Sequence, residues 1–295
     1  MKPVQTLVTV IIATTCEALR WPSMQRAIAS VLTQADVSPQ ILVVVNGRRF
    51  DEEHYNELRH MTGLKVVYHE EGSAPLAQRI GRSLVCTPFF AFLDDDDEYL
   101  PGGLKARLAP LMADEALDGV ASQGVRVVDG ADQPFLISTV AVHRDALRAL
   151  ASYNWLASCG GLFRTRSVSL DYFDGCSRYL EWTLLAYKLA STRRLVFIDT
   201  PTFRIHDSPQ SLSKSPLYRH GEIDMLQTVL QLDLPADVKA SVRIRLGKAH
   251  HGLSDFYRLQ HRMSLAWRHH LKSLRYPEGW RFISYTRKIL PCRCG

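Results

Sequence analysis

The chain has 295 residues, with 36 Lys+Arg against 30 Asp+Glu and a formal net charge of +6. With 46% hydrophobic and 22% charged residues it is neither disordered nor collagen-like, and its length fits one large domain plus a smaller appendage. The charge is uneven: residues 236–295 hold 13 Lys+Arg and 3 Asp+Glu, the first 235 hold 23 and 27, so the basicity belongs to the tail and argues nothing about nucleic-acid binding by the body.

Leu7–Ala13 is a β-branched apolar run. It is too short to cross a bilayer, no small-residue cleavage site follows it, and it reads as a buried strand. Trp21–Gln34 has helical spacing, Ile41–Val45 is a second buried-type strand, and Glu52–Met61 is a helix. A strand over Lys65–Tyr68, a helix over Pro75–Leu84 and a strand over Phe89–Leu93 follow. Continuous apolar strands alternating with amphipathic helices predict an α/β fold, a mostly parallel sheet with helices on both faces. Ligands of such sheets lie beyond the carboxyl ends of the strands.

After Asp97 the pattern predicts a helix over Leu100–Met112, strands over Gly119–Val128 and Ser158–Thr165, a helix over Arg178–Ala190 and a strand over Leu195–Ile198. Arg204–Ser215 reads as a Ser-rich loop. Beyond it all patterns are helical: Tyr218–Leu232, Ala236–His251, Ser254–Leu274 and Glu278–Leu290. The expected division is a domain over 1–215 and a basic helical region over 216–295. Six sparse cysteines imply reduced thiols rather than a disulfide framework. No stretch approaches 18 apolar residues, so the expected location is the cytosol, or at most the periphery of a membrane.

The most informative feature is Asp94-Asp95-Asp96-Asp97, directly after the apolar strand Phe89–Leu93. Adjacent carboxylates repel, and burying one unpaired is costly. A divalent cation removes both problems, and hard oxygen donors suit Mg²⁺ or Mn²⁺. The competing reading has Asp97 or Glu98 favouring the start of the next helix, but a helix start needs only one or two acids.

The segment FLDDDDEYLPGGL resembles the DxD region of glycosyltransferase family 2, often FLDSDD, with Asp95 at the Ser position. VTVIIATTCE is similar to that family's first strand and turn, with Thr14 and Glu17 matching, and ILVVVNG to its second strand, where Asn46 replaces a base-reading Asp. LAQRIGRSLVCTPFFAFL looks like the family's ARNxG helix and following strand, with Gly81 on the glycine and Arg79 beside it. The resemblance spans roughly residues 4–212 and implies a GT-A (Rossmann-like) fold, followed here by a C-terminal helical extension. It implies an inverting transferase acting on a nucleoside-diphosphate sugar, expected to be a UDP-sugar, with Mn²⁺ or Mg²⁺. Asp96 would be the main metal ligand, Asp94 and Asp95 would contact ribose or metal, and Thr14, Glu17, Asn46 and Arg79 would line the nucleotide pocket.

An acceptor hydroxyl must lose its proton to a positioned carboxylate. SRYLEWTLLAYKLA resembles the family's acceptor-side helix, typically EDxxLxxRL, with Trp182 in place of the Asp often taken as base. That leaves Glu181 as the expected base and Asp174 as the fallback. Trp182 reads as an acceptor platform or as core, and Gly160 and Gly161 as places where backbone can approach a ligand. His206 is a candidate metal or diphosphate contact, with Arg204, Ser211, Ser213 and Lys214 nearby.

The tail interleaves its cations with Phe256, Tyr257, Trp267, Tyr276, Trp280, Phe282 and Tyr285. An anionic membrane surface fits this pattern first, a core with solvated charges second, nucleic acid last. The expected acceptor is a glycan or lipid-linked hydroxyl in surface-polysaccharide synthesis. Two rivals stay open: a nucleotidyltransferase on a similar sheet, and a nucleotide-sugar-binding scaffold that lost its chemistry at Trp182.

Overall fold

The computed structural model describes residues 6–34, 36–175, 179–206 and 217–290. The chain divides into two compact units, residues 1–174 with 188–209, and residues 175–187 with 210–295. Residues 175–187 thus group with the helical region, whereas the sequence places them in the first domain.

In the first unit, β1 (Val8–Thr14), α1 (Trp21–Leu32), β2 (Gln40–Asn46), α2 (Glu52–His60), β3 (Leu64–His69), α3 (Ala74–Ser83) and β4 (Phe89–Asp94) alternate as expected, each within two residues of its predicted bounds. β1, β2 and β4 are buried on both faces, which is why they read as unbroken apolar runs. Next come β5 (Glu98–Tyr99), α4 (Gly103–Ala113), β6 (Gly119–Ser122), β7 (Val125–Val128), β8 (Ala131–Pro134), two short helices α5 (Val140–Arg144) and α6 (Ala146–Ala149), and β9 (Gly161–Arg164). The helix α7 (Glu181–Thr192) begins in the second unit, and β10 (Leu195–Ile198) and β11 (Phe203–His206) belong to the first.

The main sheet has the order β10-β6-β9-β4-β1-β2-β3, parallel except for β9, which runs antiparallel to β4 and β6. α3 lies close on the sheet: a Cβ on Gly81 would sit 2.3 Å from Ile11 Cγ2. Two expectations need correction. Gly119–Val128 is not one strand, because the chain turns at Gln123-Gly124 and β7 joins a second sheet, β5-β11-β7-β8. The Gln123 side chain accepts from the Gly124 and Leu136 amides and donates to Leu136 O, replacing the lost ladder bonds. The predicted loop at Arg204 starts as strand β11, paired with β5 and β7; Ser211, Ser213 and Lys214 lie outside the described residues.

The second unit holds α8 (Tyr218–Gln231), α9 (Ala236–Leu259), α10 (Met263–Leu274), a 3-10 segment (Gly279–Tyr285) and α11 (Thr286–Ile289). The break expected near His251 is absent, and α9 runs on for two more turns. Leu253 and Ser254 are fully buried there, and Ser254 Oγ donates to Ala266 O at 2.7 Å, so tertiary packing overrides the weak local signal. The reversal occurs instead at His261, with φ 58°. Four histidines face one another across α9 and α10: His250 with His269 (Nδ1 to Nδ1, 3.1 Å), and His251 beside His270. Among the described residues no helix is long and apolar enough to cross a membrane, and Cys16, Cys86 and Cys159 are free thiols.

Candidate active site

β4 delivers its last residue, Asp94, into a tight turn closed by the Asp97 amide on Asp94 O at 3.2 Å. One carboxylate oxygen from each of Asp94, Asp96 and Asp97 lies within 4.8 Å of the others. Burial, then repulsion from Asp96 and Asp95, pushes the Asp94 carboxyl up to about 7, against the hydrogen bond from Ser158 Oγ at 2.5 Å. Burial and the charges of Asp94 and Asp96 likewise raise Asp97. Such a group is costly as bare carboxylates, and three hard oxygen donors fit Mg²⁺ or Mn²⁺.

The strand-end residues singled out in the sequence meet here. Thr14, last in β1, donates to Asp95 Oδ2 at 2.6 Å and accepts from the Cys16 amide. Asn46, last in β2, donates through Nδ2 to Thr14 O at 2.9 Å. Asp95 itself is buried and absent from the three-carboxylate group. Its oxygens go to Arg20, whose Nε reaches Oδ2 at 2.9 Å and whose terminal nitrogen binds Oδ1. The same terminal nitrogen is 3.3 Å from Asp96 Oδ2, and Arg26 donates to Asp96 O at 2.9 Å. Neither arginine belongs to a motif in the sequence. The signal for one was there, since four carboxylates in a row call for a cation.

Asp97 ties the turn to two other elements, accepting from the His206 amide at 3.0 Å and from the Cys159 thiol at 3.6 Å. The His206 ring lies outside the carboxylate group, with Nε2 3.0 Å from Glu98 Oε1. Burial opposes ionisation of Glu98, but hydrogen bonds from Arg204 and His206 hold it below the usual carboxylate range. Arg204 also pairs with Asp132 at 2.6 Å, so it braces the second sheet. The fully buried Arg107 donates to Cys159 O (2.7 Å) and Gly161 O (3.2 Å), fixing the loop that presents Ser158 to Asp94. Gly160 and Gly161 are small for internal reasons: a Cβ at either would sit within 3 Å of Phe203 or Phe163.

The remaining expected residues are not among the carboxylates that converge. Glu17 faces Arg49 at 3.2 Å. Arg79 and Asp174, expected in different roles, pair with each other at 2.5 Å on a half-exposed surface. Glu181 opens α7 as an acid in its first turn, followed by the half-buried Trp182. Both belong to the second unit.

The sequence profile described as "Glycosyl transferase family 2" matches residues 9–172, more than half of the chain. The chain belongs to glycosyl transferase family 2. It is a glycosyltransferase, and the matched stretch contains all but the first residue of β1, together with β2, α3 and the acidic turn of β4. Comparison with curated protein sequences found no match. Among solved structures the chain is similar to S. aureus TarS in complex with UDP-GlcNAc, at TM-score 0.58 and 16% identity over 85% of this chain and 75% of that one. It is also similar to TarS in complex with UDP, at 0.57 and 14% over 95% and 91%. At such identities the likeness is one of fold, and it agrees with the GT-A expectation.

Proposed function

We propose that this family 2 enzyme transfers a sugar from a nucleoside-diphosphate donor, a UDP-sugar, to a hydroxyl of a glycan or lipid-linked acceptor in surface-polysaccharide synthesis, with inversion and with Mn²⁺ or Mg²⁺. The observation that carries this reading is the convergence of Asp94, Asp96 and Asp97 where β1, β2 and β4 end. Asp96 and Asp94 would hold the cation, which when bound neutralises the departing diphosphate. Thr14 and Asn46, with Glu17 and Arg79, would line the nucleotide pocket, and Arg79 would exchange Asp174 for the ligand. His206 would reach the diphosphate or metal by leaving Glu98. Glu181 would take the proton of the acceptor hydroxyl as its oxygen bonds to the anomeric carbon and the sugar–phosphate bond breaks, its electron pair leaving with the nucleoside diphosphate. Trp182 and the backbone at Gly160 and Gly161 would serve the acceptor side. Family membership sets aside the nucleotidyltransferase reading.

Asp96→Ala should abolish metal-dependent release of sugar from UDP-sugars while the thermal unfolding midpoint stays within a few degrees. Undiminished turnover would remove Asp96 from the cation site. Thermal shift across a nucleotide-sugar panel with Mn²⁺ identifies the donor, and a wild-type chain that binds donor but never releases sugar would favour the scaffold reading.

A basic helical region over residues 216–295 and a place at the cytoplasmic face of the membrane form part of the same proposal. Trp280 (69% exposed) and Ile283 (59%) stand three apart in a 3-10 segment and so project on one side. α10 and its C-terminal cap expose Arg268, Leu271 and Arg275 along one face. Each cation near an anionic bilayer is worth about 1 kcal/mol, and aromatic side chains favour the interface. Trp280→Ala with Ile283→Ser should release the chain from phosphatidylglycerol vesicles in sedimentation. Unchanged sedimentation would exclude this surface.

A further inference from the structure

Position 95 departs from the family's FLDSDD pattern by placing Asp where Ser is usual, and this extra carboxylate is only 4% exposed. Unpaired, it would be strongly disfavoured, and one way to relieve it is to share a cation with Asp94 and Asp96. The structure takes another way. Arg20 spans both Asp95 oxygens with its planar fork, and Thr14 supplies a third hydrogen bond. The fork is itself well anchored. Arg20 closes the 3-10 turn Ala18–Arg20 through its amide on Glu17 O, and its own carbonyl accepts from Ser23 Oγ at 2.8 Å as α1 begins. Its third carboxylate contact, to Asp96 Oδ2 at 3.3 Å, reaches a residue of the ligating group, and Arg26 holds the backbone of that same residue.

We propose that Arg20 is a positioning residue of the acidic turn: it binds Asp95, withholds that carboxylate from the cation, and leaves the converging oxygens of Asp94, Asp96 and Asp97 to face it. Two observations agree on this. The carboxylate oxygens that converge belong to residues 94, 96 and 97 and skip 95, and both oxygens of 95 are bonded to the guanidinium. An ammonium at position 20 is a point charge that cannot span the two oxygens. The role is therefore specific to arginine, and it is needed because position 95 is acidic. The inference rests on the cation reading above, and its test separates the two.

The experiment measures Mn²⁺ binding to the full chain by electron paramagnetic resonance without donor, beside the apparent KM for Mn²⁺ and kcat with donor. In Arg20→Met the freed Asp95 joins the site and the opposing positive charge is gone. Mn²⁺ should then bind about ten-fold more tightly, while the displaced ligand set lowers kcat by about 100-fold. Adding Asp95→Ser to Arg20→Met should return both quantities to within about five-fold of wild type, and Arg20→Lys should fall between. A purely structural pair would show no tighter metal binding and no rescue. The proposal falls if Arg20→Met leaves Mn²⁺ affinity unchanged, or if the double variant is as impaired as the single one. Should Arg20→Met fail to fold, Asp95→Ser alone decides: Mn²⁺ affinity within about three-fold of wild type supports the proposal, and a large loss makes Asp95 a ligand and overturns it. A wild-type chain that binds no Mn²⁺ removes the cation reading, and this inference with it.

Discussion

Both regions of the chain bury titratable side chains, the sheet region as carboxylates at the end of β4 and the helical region as imidazoles between α9 and α10. In each, burial shifts the equilibrium toward the neutral form: Asp94 rises to about 7, while His250 and His269 fall to about 4. The difference lies in what completes each site. His250 and His269 meet through their Nδ1 atoms at 3.1 Å and His270 Nε2 lies 2.8 Å from Thr286 Oγ1, while the buried Nδ1 atoms of His251 and His270 have no hydrogen-bond partner. The carboxylates keep a guanidinium beside them and leave three oxygens facing one another. Neutral pairing suits a scaffold, and concentrated negative charge suits a cation-dependent reaction.

The comparison breaks most visibly if chemistry is removed from one region without loss of structure. Glu181→Gln should lower sugar transfer by about 100- to 10,000-fold while donor affinity in thermal shift stays unchanged. Full transfer would assign the base elsewhere. Next in size is Gly81→Ala in α3. The added methyl collides with Ile11 and should destabilise the sheet region by about 1–3 kcal/mol in urea unfolding, although alanine is the better helix former. No loss would mean that α3 can move off the sheet.

Acid sharpens the contrast from the other side. The folded-state pKa values of His250 and His269 lie below the ordinary value of 6.5, so the unfolded chain binds more protons between pH 6.5 and about 4. Stability of the helical region should be flat above pH 6.5 and fall as the pH drops through that window. Hydrogen exchange of the α9 and α10 amides in the full chain should quicken there, and His269→Gln should reduce the dependence. Exchange that slows on acidification would contradict the buried-imidazole account. The smallest expected effect is at the surface: Trp280→Ala should change stability by no more than about 0.5 kcal/mol, so that lost vesicle binding can be credited to the interface itself.

Much of this was legible in the sequence because the relevant signals are local. β1, β2 and β4 are buried on both faces, so their residues must be apolar in series, and the residues at their carboxyl ends stand where ligands of such sheets generally bind. Thr14, Asn46 and Asp94 therefore stand out as a group in the sequence. The second sheet was not visible, because β7 continues β6 in apolar character and only the Gln123 side chain marks the turn. The length of α9 was hidden for a related reason, since Gly252 and Ser254 weaken a helix locally and Ser254 is held there by its hydrogen bond to Ala266 O, distant in sequence.

Sequence alone determined the alternation of strand and helix, the acidic turn at the mouth of a buried strand, and the division of charge between body and tail. Each depends on neighbours along the chain, where periodicity and composition act directly. Only tertiary structure decided which carboxylates converge and which one is withdrawn. Arg20 and Asp95 are separated by 75 residues, and nothing in the spacing of either reveals the other. They meet because β1 and β4 are adjacent in the sheet and α1 begins just beyond the end of β1. A buried charge selects its partner by position in space, so four aspartates in a row mark where positive charge is expected, and the fold pairs one of them, Asp95, with Arg20.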